Sequence, residues 1–527
     1  MFFTYLLLVT LGYLFAVFYW QRRRQQRVFK DLGIPGPEPN FLFGNLIAFK
    51  DKMMCEQYQA WHATYGETFG YFEGPTPVLV TSNADILHQV FIKQFNNFHA
   101  RKLWPVQVDP DQSEEVHLFF ARGQRWKRLR SVVNPAFTAS KLRKMEPQMN
   151  QSADRLIEVL DEAAEKSDEK RVELCGLFRR LTLNVIVGCA LGIEQDAIRD
   201  PNNGFLKHCQ GVIDDTTEQP VLYLFGFIFP TLNKLWMFLY KFMHNIKFNP
   251  VYWLEDRMKE YLNYRKKTDE TYDDLLQQML DARIPDKSFH DLDIEVKTGD
   301  EPQLDINGNL KKSTFKSLTE SEVVAHSLLF LLAGYETSST TLAYIFYELA
   351  TNPHVQHALR KEIMEAMPEG EEPSYNNIKD LKYMDMVINE TLRKYPLAST
   401  VIARQCQDTC QVEGLTIPSG MLVQANVWAL HRDPKHWGTD PEAFDPTRFS
   451  PENKAERHGM SWMPFGAGPR MCVGLRFAVV QMKITMCKLL RQYAFHPASD
   501  LHSPLQLKEG ATILPKHGVP LRAVRIP

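Results

Sequence analysis

The chain has 527 residues, a formal net charge of −2 and 44% hydrophobic residues, with a mean hydropathy of −0.31. That hydropathy excludes a polytopic membrane protein, and the near-zero charge gives no argument for a nucleic-acid partner. Eight cysteines are spread widely with no C-x-x-C pair, and Cys406 and Cys410, four apart, have no second pair or nearby histidine to complete a zinc site. This argues against a disulfide framework and reads as reduced, mostly buried thiols in a reducing compartment.

The first 20 residues, MFFTYLLLVTLGYLFAVFYW, carry no charged side chain, and QRRRQQR follows at once. At about 1.5 Å per residue such a helix spans roughly the 30 Å hydrocarbon core of a bilayer. A cleaved signal peptide carries its positive charge before the apolar run. Here Arg22, Arg23, Arg24 and Arg27 come after it, which places the rest of the chain on the cytoplasmic side. The sequence therefore divides into an N-terminal membrane anchor (1–21), a basic and proline-rich linker (22–39) that ends in GIPGPEP, and a catalytic body (40–527).

YGETFGYFEGPTPVLVTS, at 65–82, predicts a β-hairpin turning at Gly74 and Pro75. Helical patterns dominate from about 84 onward, with 136–200 helical but for short breaks. The aromatic run at 221–243 admits two readings, a buried core stripe or a segment dipping into a membrane interface. Residues 283–316 turn polar and acidic and predict a long surface loop. TESE at 319–322 is a capping box, Thr319 with Glu322, and it opens a helix apolar nearly all round, as in the centre of a large protein. Two residues in that helix stand out. Gly334 costs about 1 kcal/mol against alanine, and Glu336 puts a carboxylate among apolar neighbours, followed by hydroxyl residues at 337–341. DLKYMDMVINETLRKYP is a helix stopped by Pro396, with Glu390 and Arg393 on one face. Short β pieces follow at 400–424, then the meander DPEAFDPTRF, then FGAGPRMCVG at 465–474, which runs into the amphipathic helix LRFAVVQMKITMCKLLRQY.

FGAGPRMCVG holds one cysteine, Cys472, at the start of a helix, where amide groups and the nearby Arg470 favour a thiolate. Its glycines let something flat and bulky approach the sulfur. Zinc needs more thiolates or imidazoles close by. A thiol protease needs a base, and no motif links His431 to Cys472. A thiolate holding a haem iron from one side fits every feature.

The same run resembles the haem-binding signature of the cytochrome P-450 superfamily through Phe465, Gly466, Gly468, Arg470, Cys472 and Gly474. AGYET (333–337) is similar to the superfamily's oxygen-activating motif, ETLR to its E-x-x-R pair, and WKRLR to its haem-propionate motif. The resemblance covers essentially the whole chain, closest to the animal microsomal drug- and steroid-oxidising group. It implies a mainly α cytochrome P-450 fold with small β-sheet regions behind one transmembrane helix. It implies haem b with Cys472 as axial ligand, Glu336 and Thr337 as a proton relay, and Trp126, Arg130, Arg404 and Arg470 on the haem propionates, with Arg101 a further candidate. Phe465, Gly466 and Gly474 would shape the haem's bed, and Glu390, Arg393 and Arg448 would form a structural ion network. The meander departs from the usual P-E-R-F, with Thr447 in place of the glutamate.

The implied activity is insertion of one oxygen atom from O2 into a lipophilic xenobiotic, steroid or fatty acid, in the endoplasmic reticulum membrane. No G-x-G-x-x-G follows a strand, so NADPH would act only through a partner reductase, with cytochrome b5 as a further partner that the resemblance suggests. The basic run Arg122, Arg125, Lys127 and Arg128 would steer that reductase, and segments near 100–120 and 205–245 would line the substrate pocket. Two other functions stay open: a haem-thiolate isomerase or dehydratase acting on peroxides, and a non-catalytic haem sensor or membrane scaffold.

Overall fold

The computed structural model describes residues 1–526 except 168, 219, 247–249, 269, 271, 285–316 and 369. The stretch read as a surface loop, 283–316, falls almost wholly outside the described residues. The helical elements in chain order are α1 (Phe2–Gln25), α2 (Met54–Tyr65), α3 (Gly123–Val133), α4 (Ala139–Glu165), α5 (Leu174–Leu191), α6 (Gly204–Glu218), α7 (Pro220–Ile228), α8 (Asn233–Ile246), α9 (Pro250–Lys267), α10 (Glu320–Thr351), α11 (Pro353–Ala366), α12 (Lys382–Lys394) and α13 (Leu475–Gln492). Strands are short and peripheral, so the fold is mainly α.

The predicted hairpin forms: β1 (Thr68–Glu73) and β2 (Thr76–Thr81) pair antiparallel, Thr68 opposite Thr81. The three-residue strand β3 (Arg171–Glu173) precedes α5. The pieces expected at 400–424 are β4 (Ala403–Gln405), β5 (Cys410–Val412), β6 (Leu415–Ile417) and β7 (Leu422–Ala425). One sheet runs β1-β2-β7-β4, the β2–β7 pair parallel. After α13 come β8 (Tyr493–Pro497), β9 (Leu507–Glu509), β10 (Ile513–Pro515) and β11 (Pro520–Arg525), with β9 and β10 forming their own antiparallel pair. The GIPGPEP stretch lies against β1. The Gly70 amide donates to the Pro35 carbonyl at 2.9 Å, and a Cβ on Gly36 would stand 1.9 Å from the Gly70 carbonyl oxygen.

The 32-residue helix α10 runs through the core, and α5 packs across it. Gly334 is the contact point. A Cβ there would lie 2.8 Å from the side chain of Ile186, and Thr182 of α5 donates to the Tyr335 carbonyl at 2.6 Å. The helix therefore gives up about 1 kcal/mol of propensity to close that approach. Its start is the expected capping box, but Glu322 also receives Arg125 at 2.9 Å and Arg128 at 2.8 Å. This overturns the basic run as a steering surface. Arg125 and Arg128 are buried, because their face of α3 packs on the α10 N-terminus. Arg122 bonds Gln405, and Lys127 remains exposed.

Of the two readings of 221–243, core burial fails. Val221, Phe225, Leu235, Phe238 and Phe242 are all exposed, and the pair α7–α8 is bent by 114°. The N-terminal helix α1 is long and apolar enough to cross a membrane and buries none of its apolar window in the protein. Its far end docks on this same region: Arg22 Nη2 donates to the Ile228 carbonyl at 2.7 Å, and Phe18 packs on Phe41 and Phe229. The helix α5 also passes for a span by length and composition, but 78% of its window is buried in the protein, so its apolarity serves the core.

Candidate functional site

Under α10 lies an apolar cavity enclosing about 1420 Å³ of empty space, open solvent at its mouth included. Its walls come from four stretches far apart in sequence: Leu118–Trp126–Arg130, Ala333–Thr337–Thr341 of α10, Leu397–Arg404, and the cysteine loop with the start of α13. The predicted 100–120 segment contributes Arg101, Leu118 and Phe119. None of the described lining residues comes from 205–245, since the bent pair turns its apolar side chains to the surface. The stretch 397–402 does the work instead. It carries no motif, and its lining residues Leu397, Ala398, Val401 and Ile402 are plain apolar side chains, so nothing in the sequence singled it out.

Cys472 sits in the cavity wall. Seven of the eight cysteines are buried or half-buried, and Cys472 is the exposed one. Exposure and surroundings differ here: the sulfur's open surface faces the cavity, while protein crowds it on its other sides. Its amide donates to the Phe465 carbonyl at 2.9 Å, closing the loop. Gly466 and Gly468 both have left-handed φ, +73° and +69°. Only Gly466 lines the cavity; a Cβ on Gly468 would meet the Phe91 carbonyl oxygen at 2.0 Å. Burial pushes the Cys472 thiol up, opposed by the amides of Gly474 and Leu475 and by the charges of Arg130 and Arg101. Arg470, expected to favour the thiolate, is not among these influences: its guanidinium donates to the carbonyls of Phe119 and Ala121. Desolvation outweighs the amide dipoles and the two cations together.

Beside the thiol stand Arg101, Arg130, Arg404 and Arg470, with Trp126. Trp126 packs on Phe95 and under the Arg470 guanidinium, 4.9 Å from its ring. Arg101 donates to the carbonyls of Val401 and Arg470, and Arg404 to that of Ala403. Burial and mutual repulsion lower the affinity of Arg404 and Arg470 for their protons, and burial brings Arg101 down to about 10. Among the described residues none of these cations faces a carboxylate, and the Nε atoms of Arg101, Arg404 and Arg470 lack partners. A buried cation cluster of this kind is costly unless an anion joins it. Those orphaned donors, a thiol in the same wall and a glycine-lined bed fit a flat ring bearing a metal and two carboxylates.

On α10, Thr337 lines the cavity and its hydroxyl donates back to the Ala333 carbonyl at 2.7 Å. Glu336 is buried, lies outside the cavity lining, and accepts from Thr512 Oγ1 at 3.1 Å. The structure thus places the two residues of the expected relay on different faces of the helix.

Behind the loop, Arg393 pairs with Glu390 at 2.7 Å, both fully buried, and Arg448 stands 3.5 Å from Glu390. Arg393 also donates to the His431 carbonyl at 2.9 Å. His431 Nε2 accepts from the Met463 amide at 3.0 Å, so Nδ1 carries the proton and donates to the Arg393 carbonyl at 3.2 Å. Through this one imidazole the ion network holds the chain where it enters the cysteine loop. Thr447, the departure in the meander, closes on Asp445 through both its amide (2.9 Å) and its hydroxyl (2.6 Å).

A mainly helical fold with a long central helix over an apolar cavity, one open thiol and a set of carboxylate-free arginines defines the class of haem-thiolate proteins. The cytochrome P450 family profile matches residues 34–521, and the chain belongs to that family. Cytochrome P450 3A28 of Bos taurus is 33% identical over 94% of this chain and 91% of its own. Cytochrome P450 3A5 of Homo sapiens is 32% identical over 96% and 94%, and the putative cytochrome P450 CYP13A4 of Caenorhabditis elegans is 33% identical over 92% of both. The protein is therefore an oxidoreductase, a monooxygenase that carries haem on a cysteine thiolate.

Proposed function

We propose that the protein is a membrane-anchored monooxygenase of lipophilic small molecules, xenobiotics, steroids or fatty acids, with Cys472 as the axial ligand of haem b. One observation carries this reading: the single exposed thiol shares a cavity wall with two buried arginines, Arg404 and Arg470, and two half-buried ones, Arg101 and Arg130, and none of the four has a carboxylate partner among the described residues. Cys472 would hold the haem iron through its thiolate, and the bound haem would supply the activation of O2 that the thiolate's electron donation favours.

The chain's own residues do the rest. Trp126, Arg130, Arg404 and Arg470 hold the propionates, joined by Arg101, since a guanidinium fork matches a carboxylate. Phe465, Gly466 and Gly474 shape the bed on the thiolate side. Thr337 presents its hydroxyl to the cavity after turning from the Ala333 carbonyl, and Glu336 exchanges protons on the other face of the same turn. Glu390, Arg393 and Arg448 are structural. The apolar walls select lipophilic substrates and exclude water.

Residues 1–21 anchor the chain in the endoplasmic reticulum membrane, 22–39 link, and 40–527 form a cytosolic catalytic body. The arginines after the apolar run and the exposed rings of α7–α8 beside the docked end of α1 support this placement. Electrons come from NADPH through the partner cytochrome P450 reductase, with cytochrome b5 as a second donor, and exposed Lys127 is what remains of the basic run for docking.

The test is the carbon monoxide difference spectrum of the reduced protein, wild type against Cys472→Ser. The red-shifted Soret band of a thiolate ligand is expected in the wild type and its loss in the variant. A band at the histidine-ligand position, or the same band in both, would overturn the assignment. Turnover that proceeds without reductase would replace the monooxygenase reading with the isomerase one.

A further inference from the structure

One partner of Glu336 comes from an element that no motif singles out. Thr512 lies between β9 and β10, 176 residues away in sequence, and its Oγ1 donates to Glu336 Oε1 at 3.1 Å. Both residues are buried, at 8% and 3% exposure.

The turn that carries Thr512 is held from several sides. The Gly510 amide donates to the Thr512 carbonyl at 2.9 Å, and the Ile513 amide donates to the carbonyl of Leu397, a cavity-wall residue, at 3.0 Å. The Ile513 carbonyl accepts from the Tyr344 hydroxyl at 2.8 Å. Tyr344 lies two turns beyond Glu336 on α10, and its ring stacks on Tyr395 with centroids 4.3 Å apart. The Thr512 hydroxyl is therefore fixed relative to α10 and to the cavity wall together.

A hydroxyl suits this position chemically. It donates to a carboxylate and accepts from a protonated carboxyl, so it serves Glu336 in both states without gaining or losing a proton itself. We propose that Thr512 is a positioning residue of the proton relay, holding the Glu336 carboxyl in one orientation as it gives up a proton and takes another from solvent. This rests on the relay reading of Glu336 given above.

The experiment uses the full-length haem-loaded protein with reductase, NADPH and air, and compares Thr512→Val, Thr512→Ser and Glu336→Gln. The carbon monoxide spectrum checks that each is loaded, with Thr512→Ala standing in should the valine variant lose haem. In Thr512→Val the share of NADPH electrons released as hydrogen peroxide rises about threefold or more, and in Thr512→Ser it stays at the wild-type value. A second readout needs no turnover. The infrared band of the Glu336 carboxyl, assigned by its absence in Glu336→Gln, shifts in Thr512→Val and keeps its place in Thr512→Ser. If Glu336→Gln raises peroxide release while Thr512→Val changes neither readout, Thr512 has no positioning role and the relay stands. If Glu336→Gln leaves peroxide release unchanged, the relay reading itself falls, and this proposal with it.

Discussion

A guanidinium buried among apolar groups is a liability until an anion reaches it. Arg404 is 1% exposed, rests over the Phe91 ring at 4.4 Å, and among the described residues donates to the neighbouring Ala403 carbonyl alone. Desolvation and the repulsion of Arg101 and Arg470 lower its hold on its proton. Replacing it with an apolar side chain has opposite effects on the two forms of the protein. Arg404→Leu is expected to stabilise the haem-free protein by about 1 kcal/mol or more, as replacements of buried ions by apolar groups do. The same change speeds haem loss about tenfold, one charge-assisted bond at roughly 1.4 kcal/mol per factor of ten. Urea unfolding of the haem-free protein and transfer of haem to an acceptor globin measure the two halves. A haem-free protein destabilised by Arg404→Leu would show that the cation is structural rather than held ready for an anion. Gly468 makes a separate point. Its left-handed φ, and a Phe91 carbonyl oxygen only 2.0 Å from where an alanine Cβ would stand, leave no conformation open to alanine. Gly468→Ala is expected to yield protein without the thiolate spectrum, whereas Gly466→Ala, with no protein atom within 4 Å, costs the haem-free protein only the backbone strain of about 1–2 kcal/mol.

At the scale of elements, the start of α10 joins two parts of the cavity. Burial pushes the Glu322 carboxyl up, but Arg128 and Arg125 outweigh it and hold the carboxyl below its usual range. Arg125 also gathers the carbonyls of Ser113 at 2.7 Å and Glu114 at 3.1 Å, just before Leu118 and Phe119 enter the cavity wall. Glu322→Gln leaves two guanidinium groups buried without a counter-charge, and a loss of about 3–5 kcal/mol is expected. It should appear as a lowered denaturation midpoint together with faster proteolysis around 109–118; a variant as stable as wild type would mean that the arginines are satisfied by carbonyls alone. The same element shows what sequence could convey. The capping box was legible because Thr319 and Glu322 are three residues apart, as were Glu390 and Arg393. The arginines that claim Glu322 are 194 and 197 residues away, so α3 read as a basic surface. Likeness to a family supplied the cysteine loop and its arginines, because those residues recur at fixed spacing. It could not supply the 397–402 wall or Thr512, whose roles exist only once distant strands meet α10. The 221–243 run stayed ambiguous for a related reason: apolar rings look alike in a core and on a membrane-facing surface until packing is known.

Across the whole molecule, buried neutral histidines pin the walls of the site. His326 of α10 accepts from the Leu118 amide at 3.1 Å, half-buried His117 beside it feels the charge of that imidazole, and His431 ties α12 to the entry of the cysteine loop. Burial is the main cause that lowers all three, His326 to about 4 and His117 and His431 to about 3. Around His326 the ionic groups are Glu322, which favours its protonation, and Arg125 and Arg128, which oppose it; around His431 they are Arg393 and Arg432. Each imidazole binds its proton less well in the folded chain than in the unfolded one, whose value is 6.5. The unfolded state therefore takes up protons first as pH falls, so the stability these groups contribute is complete above 6.5 and declines from there, down to about 4 for His326 and about 3 for His117 and His431. One such proton is worth at most about 1.4 kcal/mol per pH unit, and three act in parallel. The denaturation midpoint is expected to be nearly level between about pH 7 and 8 and to fall steeply below about 6.5, with haem released over the same range because the walls that lose their pins are those of the cavity. His326→Gln, which keeps an acceptor for the Leu118 amide and cannot titrate, should remove about one third of that slope. An unchanged slope in this variant, or a midpoint level from about pH 6.5 to 4, would assign acid sensitivity to the carboxylates instead.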